Sequence, residues 1–194
     1  MLVIFEGIDC SGKTSCAEYL RKRYGFKIIN FTQPIIGKGK RQCIIEQLKD
    51  YFTSLKFFNE LKTADILCDR FHIGELVYPQ VMRNYRISYK DMKYFKQIEN
   101  ELIKLDAKTF YFYANKNDLM KRFQENKKDQ YITMDEIERV LNEYEDAIQN
   151  SRLHIEWINT SKLTKEQTRY YVADKLGFKV NLANEVMFPF PISE

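Results

Sequence analysis

Short apolar runs alternate along this chain with longer stretches of helical period. Residues 2–5, 27–31, 65–68, 109–113 and 154–159 are each brief and rich in β-branched or aromatic side chains, the pattern of buried strands. Residues 14–24 read as a helix with Arg21, Lys22 and Arg23 in its last turn and Gly25 as its stop. Residues 41–61 place Ile44, Ile45, Leu48, Phe52 and Leu55 at helical spacing, and residues 74–84, 89–105, 119–124, 134–150 and 165–176 complete the helical set. Thr133 and Glu136 have the spacing of a capping box and mark one of these starts. Strands alternating with helices predict an α/β fold: a three-layer sandwich whose five-stranded parallel sheet carries helices on both faces. Residues 1–177 are expected to form one domain. The tail, 178–194, with Met187, Phe188, Pro189, Phe190 and Pro191, has no periodicity and is expected to pack on that domain or trail from it.

The first turn between strand and helix carries candidate chemistry. Residues 7–14 read Gly-Ile-Asp-Cys-Ser-Gly-Lys-Thr, a complete G-x-x-x-x-G-K-S/T directly after an apolar run and at the start of a helical pattern. In that setting the motif is a phosphate cradle. Gly7 and Gly12 let backbone N–H groups close round phosphate oxygens at a helix N-terminus, so Gly7, Asp9, Cys10, Ser11, Gly12, Lys13, Thr14 and Ser15 are the expected ATP-binding set. Lys13 would reach the β- and γ-phosphates, and Thr14 would ligate Mg²⁺. A second apolar run ends in Asp69-Arg70, which an open α/β sheet places at its ligand-binding carboxyl edge. Asp69 is suited to holding Mg²⁺ through water and Arg70 to gripping a phosphate bidentately.

Composition narrows the classes. A chain of 194 residues with 44% hydrophobic content fills one core. Lys and Arg number 31 against 27 Asp and Glu, a net charge of +4 that serves a nucleotide as readily as a nucleic acid. The four cysteines, Cys10, Cys16, Cys43 and Cys68, lack the paired spacing of a zinc site, so reduced thiols and a cytoplasmic setting are expected. No run approaches eighteen consecutive apolar residues, so neither membrane spanning nor export is indicated.

With these motifs the chain resembles thymidylate kinases and the wider nucleoside monophosphate kinase group. Phe5-Glu6-Gly7-Ile8-Asp9 followed by Ser11-Gly12-Lys13-Thr14 is similar to that family's opening. Asp69-Arg70-Phe71, then Leu76-Val77-Tyr78 and Arg83, is similar to its Asp-Arg-Tyr stretch and the helix after it, and Thr32-Gln33-Pro34 with Gly37 resembles its Arg-Glu-Pro-Gly segment. The resemblance implies that Asp9 faces the sugar 3′-hydroxyl, that Arg70 holds the acceptor phosphate, and that Phe71, Tyr78 and Arg83 belong to the substrate site. It also implies a homodimer, with ATP, Mg²⁺ and a pyrimidine deoxynucleoside monophosphate of dTMP type as ligands. Phe52, Phe57 and Phe58 are candidates for the aromatic that stacks on the base.

A mobile basic lid is expected over about residues 121–132, where Lys121, Arg122, Lys127 and Lys128 follow the fourth strand. Such cations neutralise charge on the transferred phosphoryl, and Arg122 is the candidate catalytic cation beside Lys13 and Arg70. Two alternatives stay open. One is a kinase directed at a hydroxyl of a deoxynucleoside or of a modified base or end in DNA. Against it stands Gln33, which cannot act as a base where deoxynucleoside kinases carry glutamate before the proline. The other is a nucleotide-dependent switch. Asn115-Lys116-Asn117-Asp118 matches the guanine-reading N-K-x-D pattern, but no Asp-x-x-Gly accompanies it, and the tetrapeptide reads more simply as the start of a helix.

Overall fold

A period of two along the first strand decides how the layers form. In a computed structural model that describes residues 1–31, 40–61, 63–126 and 132–179, strand β1 (Leu2–Gly7) is buried along its whole length. Val3 and Phe5 enter one core and Leu2 and Ile4 another, because successive side chains leave a strand on opposite faces. The other strands are β2 (Lys27–Asn30), β3 (Ile66–Asp69), β4 (Lys108–Tyr113) and β5 (Ile155–Asn159). All neighbours are parallel, in the order β2-β3-β1-β4-β5.

Helices α1 (Lys13–Tyr24) and α7 (Lys165–Lys175) cover the face of Val3, Phe5, Leu67, Phe110 and Phe112. The opposite face is covered by α2 (Lys40–Glu60) and α4 (Tyr89–Lys104) over β3 and β1, and by α3 (His72–Met82), α5 (Lys116–Glu125) and α6 (Ile137–Gln149) over β1 and β4. The expected three-layer α/β sandwich with a five-stranded parallel sheet is therefore the fold. Element ends differ from the pattern by a few residues. Helix α3 starts at His72 rather than Gly74, and the stretch after Thr133 opens as a 3₁₀ turn (Met134–Glu136) before α6. The capping box at Thr133 and Glu136 is formed. The four cysteines are free thiols, and no described helix is long and apolar enough to cross a membrane.

Thr164 caps α7 by accepting from the Gln167 amide at 3.1 Å, while Gln167 Oε1 accepts from the Thr164 amide at 2.9 Å. Thr164→Ala should cost about 1 kcal/mol, since one orphan amide of the first turn loses its acceptor. Thermal denaturation would show this as a fall of roughly 2–4 °C in Tm.

Candidate active site

The carboxyl ends of β1 and β3 lie side by side, with Phe5 in register with Asp69, and the two charged turns that follow meet there. On the first turn, Lys13 opens α1, yet its side chain is buried and bent back over the loop. Its Nζ donates to the carbonyls of Gly7 (2.8 Å) and Ile8 (2.7 Å), and Ser11 Oγ lies 3.4 Å away. Burial, followed by the neighbouring Arg70 cation, pulls the Lys13 ammonium down to about 8, against the opposing pull of Asp69, Asp9 and Glu6. No acidic side chain stands in the first turn of α1, so the positive end of that helix dipole is left for an anion. Gly12, at φ 97°, and Thr14 are exposed at the same end.

The second turn brings Arg70 onto the first. Its backbone is in the left-handed region at φ 66°, and its amide donates to the Phe5 carbonyl at 2.8 Å. The guanidinium pairs with Asp9 across 61 positions of sequence and stands 5.4 Å from the centroid of the Tyr78 ring. Burial acts to lower Arg70, but Tyr78, Tyr144, Asp9 and Asp69 outweigh it and hold the group charged. Asp69 Oδ1 is buried without a hydrogen-bond partner. That orphaned oxygen and the hydroxyl of the exposed Thr14 are oxygen donors of the kind a Mg²⁺ ion takes, and these two residues would be the ones to hold it. Among the described residues there is no cluster of three His, Cys, Asp or Glu that would hold a metal by itself.

Arg122 approaches the first turn from the other side. From α5 it donates to the Cys10 carbonyl (3.2 Å), the Thr160 hydroxyl (2.9 Å) and the Thr160 carbonyl (2.8 Å), tying the phosphate loop to the turn after β5. A cleft lined by Cys10, Gly12, Ser15, Arg122, Thr160 and Lys165 lies between the loop and that turn. Two arginines therefore flank one loop, Arg70 at Asp9 and Arg122 at Cys10.

A protein of Bacillus subtilis (strain 168), the SPbeta prophage-derived protein YorR, is 30% identical over 154 residues, spanning 79% of this chain and 85% of YorR. The chain belongs to the YorR family. No family model matches it. A crystal structure of YorR in complex with phosphorylated GDP superposes with a TM-score of 0.67 at 23% identity, over 97% of this chain and all of the other. Deoxyadenosine kinase from M. mycoides with bound dATP gives 0.60 at 16% identity over 91% of this chain and 100% of the other, and Candida albicans thymidylate kinase gives 0.64 at 13% over 91% and 90%. The architecture of this YorR-family chain is that of the P-loop nucleotide kinases.

The structure gathers Gly7, Asp9, Cys10, Ser11, Gly12, Lys13, Thr14, Asp69, Arg70, Tyr78 and Arg122 of this YorR-family chain at one sheet edge. Ser15 accepts from Arg169 of α7 at 2.9 Å. Arg83, the C-cap residue of α3, is drawn to Glu75 of that helix at 2.9 Å, a buried carboxyl that burial raises and Arg83 lowers. The Phe71 ring lies in the core against Phe31, Tyr51 and Phe58, so what it offers the site is its backbone. Phe58 is likewise core, Phe52 packs on Tyr94 of α4, and Phe57 is exposed. Asn115 is the N-cap residue of α5, its amide donating to Ser161 Oγ. Thr32, Gln33, Pro34, Gly37, Lys127, Lys128 and all of the tail from 180 to 194 lie outside the described residues. Sequence reasoning missed Glu6 as a site residue, and with it Thr160 and Glu75. The signal for Glu6 was a carboxylate ending a strand that is otherwise apolar.

Proposed function

We propose that this chain is a nucleoside monophosphate kinase that transfers the γ-phosphoryl of ATP, with Mg²⁺, to a pyrimidine deoxynucleoside monophosphate of dTMP type, residues 1–177 serving as the kinase domain. One observation carries the reading: Arg70, a cation suited to an acceptor phosphate, is paired with Asp9 inside the loop that cradles the donor. Acceptor and donor phosphates would thereby meet within reach of Lys13 and Arg122. An acceptor phosphate is already ionised, so the site needs charge neutralisation and alignment rather than a general base. An acceptor oxygen forms the new bond to the γ-phosphorus, the bond from that phosphorus to the β,γ-bridging oxygen breaks, and ADP leaves with the electron pair. Lys13 and the loop amides would hold the donor phosphates, Arg70 the acceptor, and Arg122 charge on the moving phosphoryl. Thr14 and Asp69 would hold Mg²⁺, which when bound neutralises the β- and γ-phosphates.

The fold neighbours include a kinase for each acceptor type, so the same architecture leaves a hydroxyl acceptor as a second reading. Asp9 or Asp69 would be the carboxylate that serves it. Both readings are decided by mass spectrometry of products from ATP or GTP with dTMP, dUMP, dCMP, 5-hydroxymethyl-dUMP, dAMP, dGMP, thymidine, deoxyadenosine and a DNA oligonucleotide. The expected result is diphosphate from a pyrimidine monophosphate. Transfer only to a nucleoside or oligonucleotide would overturn the acceptor, and transfer to none would overturn the kinase. Arg70→Ala should lower kcat/KM for the acceptor about 10²–10³-fold, the loss typical of one preorganised charge donor, and leave the KM of ATP within about 3-fold.

A further inference from the structure

Glu6 stands where a charge is costly. It follows four apolar residues on β1, is fully buried, and immediately precedes the first glycine of the phosphate loop. Its Oε1 accepts from the amides of Phe71 (2.9 Å) and Ile73 (3.2 Å), while Oε2 has no hydrogen-bond partner. Burial pushes the carboxyl up, against the opposing effects of His72, the Phe71 N–H, Arg70 and Lys13. Nothing in the proposed transfer uses this group directly.

The two amides it holds belong to the start of α3. Phe71, the N-cap residue of that helix, offers no side-chain oxygen, so a carboxylate from another strand takes the capping role at the positive end of the dipole. Arg70 is thereby bracketed from both sides. Its own amide is fixed on the Phe5 carbonyl and the next amide on Glu6, and both anchors are the residues directly before Gly7. A non-glycine residue at φ 66° persists only where its surroundings over-determine it, and these two contacts do so.

We propose that Glu6 is a positioning residue: by holding the Phe71 and Ile73 amides it sets the Arg70 guanidinium over the phosphate loop, so that one strand aligns donor cradle and acceptor cation. The inference rests on the reading of Arg70 as the acceptor-phosphate residue.

Three variants of the full chain test it, Glu6→Ala, Glu6→Asp and Glu6→Gln. Glutamine keeps an oxygen for the two amides, aspartate keeps the charge but is one methylene too short to hold both, and alanine leaves them unpaired. Amide exchange needs no substrate. Glu6→Ala and Glu6→Asp should speed exchange over residues 70–73 about 10-fold or more, with α1 and β4 within about 2-fold of the wild type. In kinetics, kcat/KM for the acceptor at saturating ATP should fall about 10²-fold in both, with the KM of ATP within about 3-fold and Glu6→Gln recovering to within about 10-fold of the wild type. A purely structural role would loosen α1 and β4 together with 70–73 and weaken ATP and acceptor alike, and that result overturns the proposal. So does a Glu6→Asp variant that matches Glu6→Gln in both measurements, which decides the matter should Glu6→Ala not fold. If the wild type transfers to no acceptor, the reading of the reaction fails, and the exchange measurement still decides whether Glu6 holds 70–73.

Discussion

Lys13→Met should lower phosphoryl transfer at least about 10²–10³-fold, because it removes a buried ammonium aimed at charge that grows in the transition state. The Met side chain is apolar and of similar length, so it fills the same space above the loop without a charge. The Lys13 Nζ donates to the Gly7 and Ile8 carbonyls at 2.8 and 2.7 Å. A bound phosphate is a stronger partner than either, since the bond is then charge-assisted on both sides. Titration calorimetry with ATP and rapid-quench measurement of a single turnover separate the loss in binding from the loss in the chemical step. A variant that turned over at the wild-type rate would remove Lys13 from the mechanism.

The same residue gives nucleotide binding a pH dependence of definite sign. Lys13 is held at about 8, by burial first and by Arg70 second. Phosphate binds the ammonium form and raises its pKa, so the complex carries more protons than the free protein above that value. Affinity for ATP should be flat below about pH 8 and fall about 10-fold per unit above it, a slope that Lys13→Met should abolish. Folding responds the other way. Because the folded value lies below the ordinary 10.5, the unfolded chain binds more protons between about 8 and 10.5. The penalty for burying Lys13 is therefore full below pH 8 and is relieved as pH rises through that window.

The strands and the phosphate loop could be read from the chain because each is a local pattern. Short apolar runs mark β1 to β5, and the G-x-x-x-x-G-K-S/T spacing sets the turn between β1 and α1. Arg70 and Asp9 were each visible as site residues, but their pairing spans 61 positions and depends on β3 lying beside β1 rather than on any spacing. Glu6 was read as part of a motif and not as a cap, since its partners are amides 65 and 67 positions away. That unseen cap also accounts for α3 starting two residues earlier than its apolar pattern suggests. Thr160 was silent for a similar reason: its hydroxyl and carbonyl acquire meaning only when Arg122 arrives from α5. The acceptor is finer than any of these features, because the thymidylate and deoxyadenosine kinases share this architecture.

Gly7→Ala should destabilise the protein by roughly 4 kcal/mol or more, placing it in the exceptional tail of single substitutions. A Cβ at this position would lie 2.1 Å from the Phe112 carbonyl oxygen and 3.1 Å from its carbon. The obstacle is the backbone of β4, in register with Gly7 in the middle of the sheet, so no rotamer change relieves it. The backbone at φ 136° is also one that L-residues rarely adopt. Thermal denaturation should show a fall in Tm of roughly 8–16 °C for a chain of this length, accompanied by loss of nucleotide binding as the loop is displaced. Gly12→Ala is the control, because Gly12 belongs to the same motif and also has a positive φ. Its Cβ would meet only Thr160 Cγ2, at 3.8 Å, so the cost is backbone strain of about 1–2 kcal/mol. The fold should survive there while the exposed cradle loses affinity for ATP. Equal melting temperatures for the two variants would mean that β4 yields at Phe112, and the close approach of the two strands would then not be what requires glycine at the head of the loop.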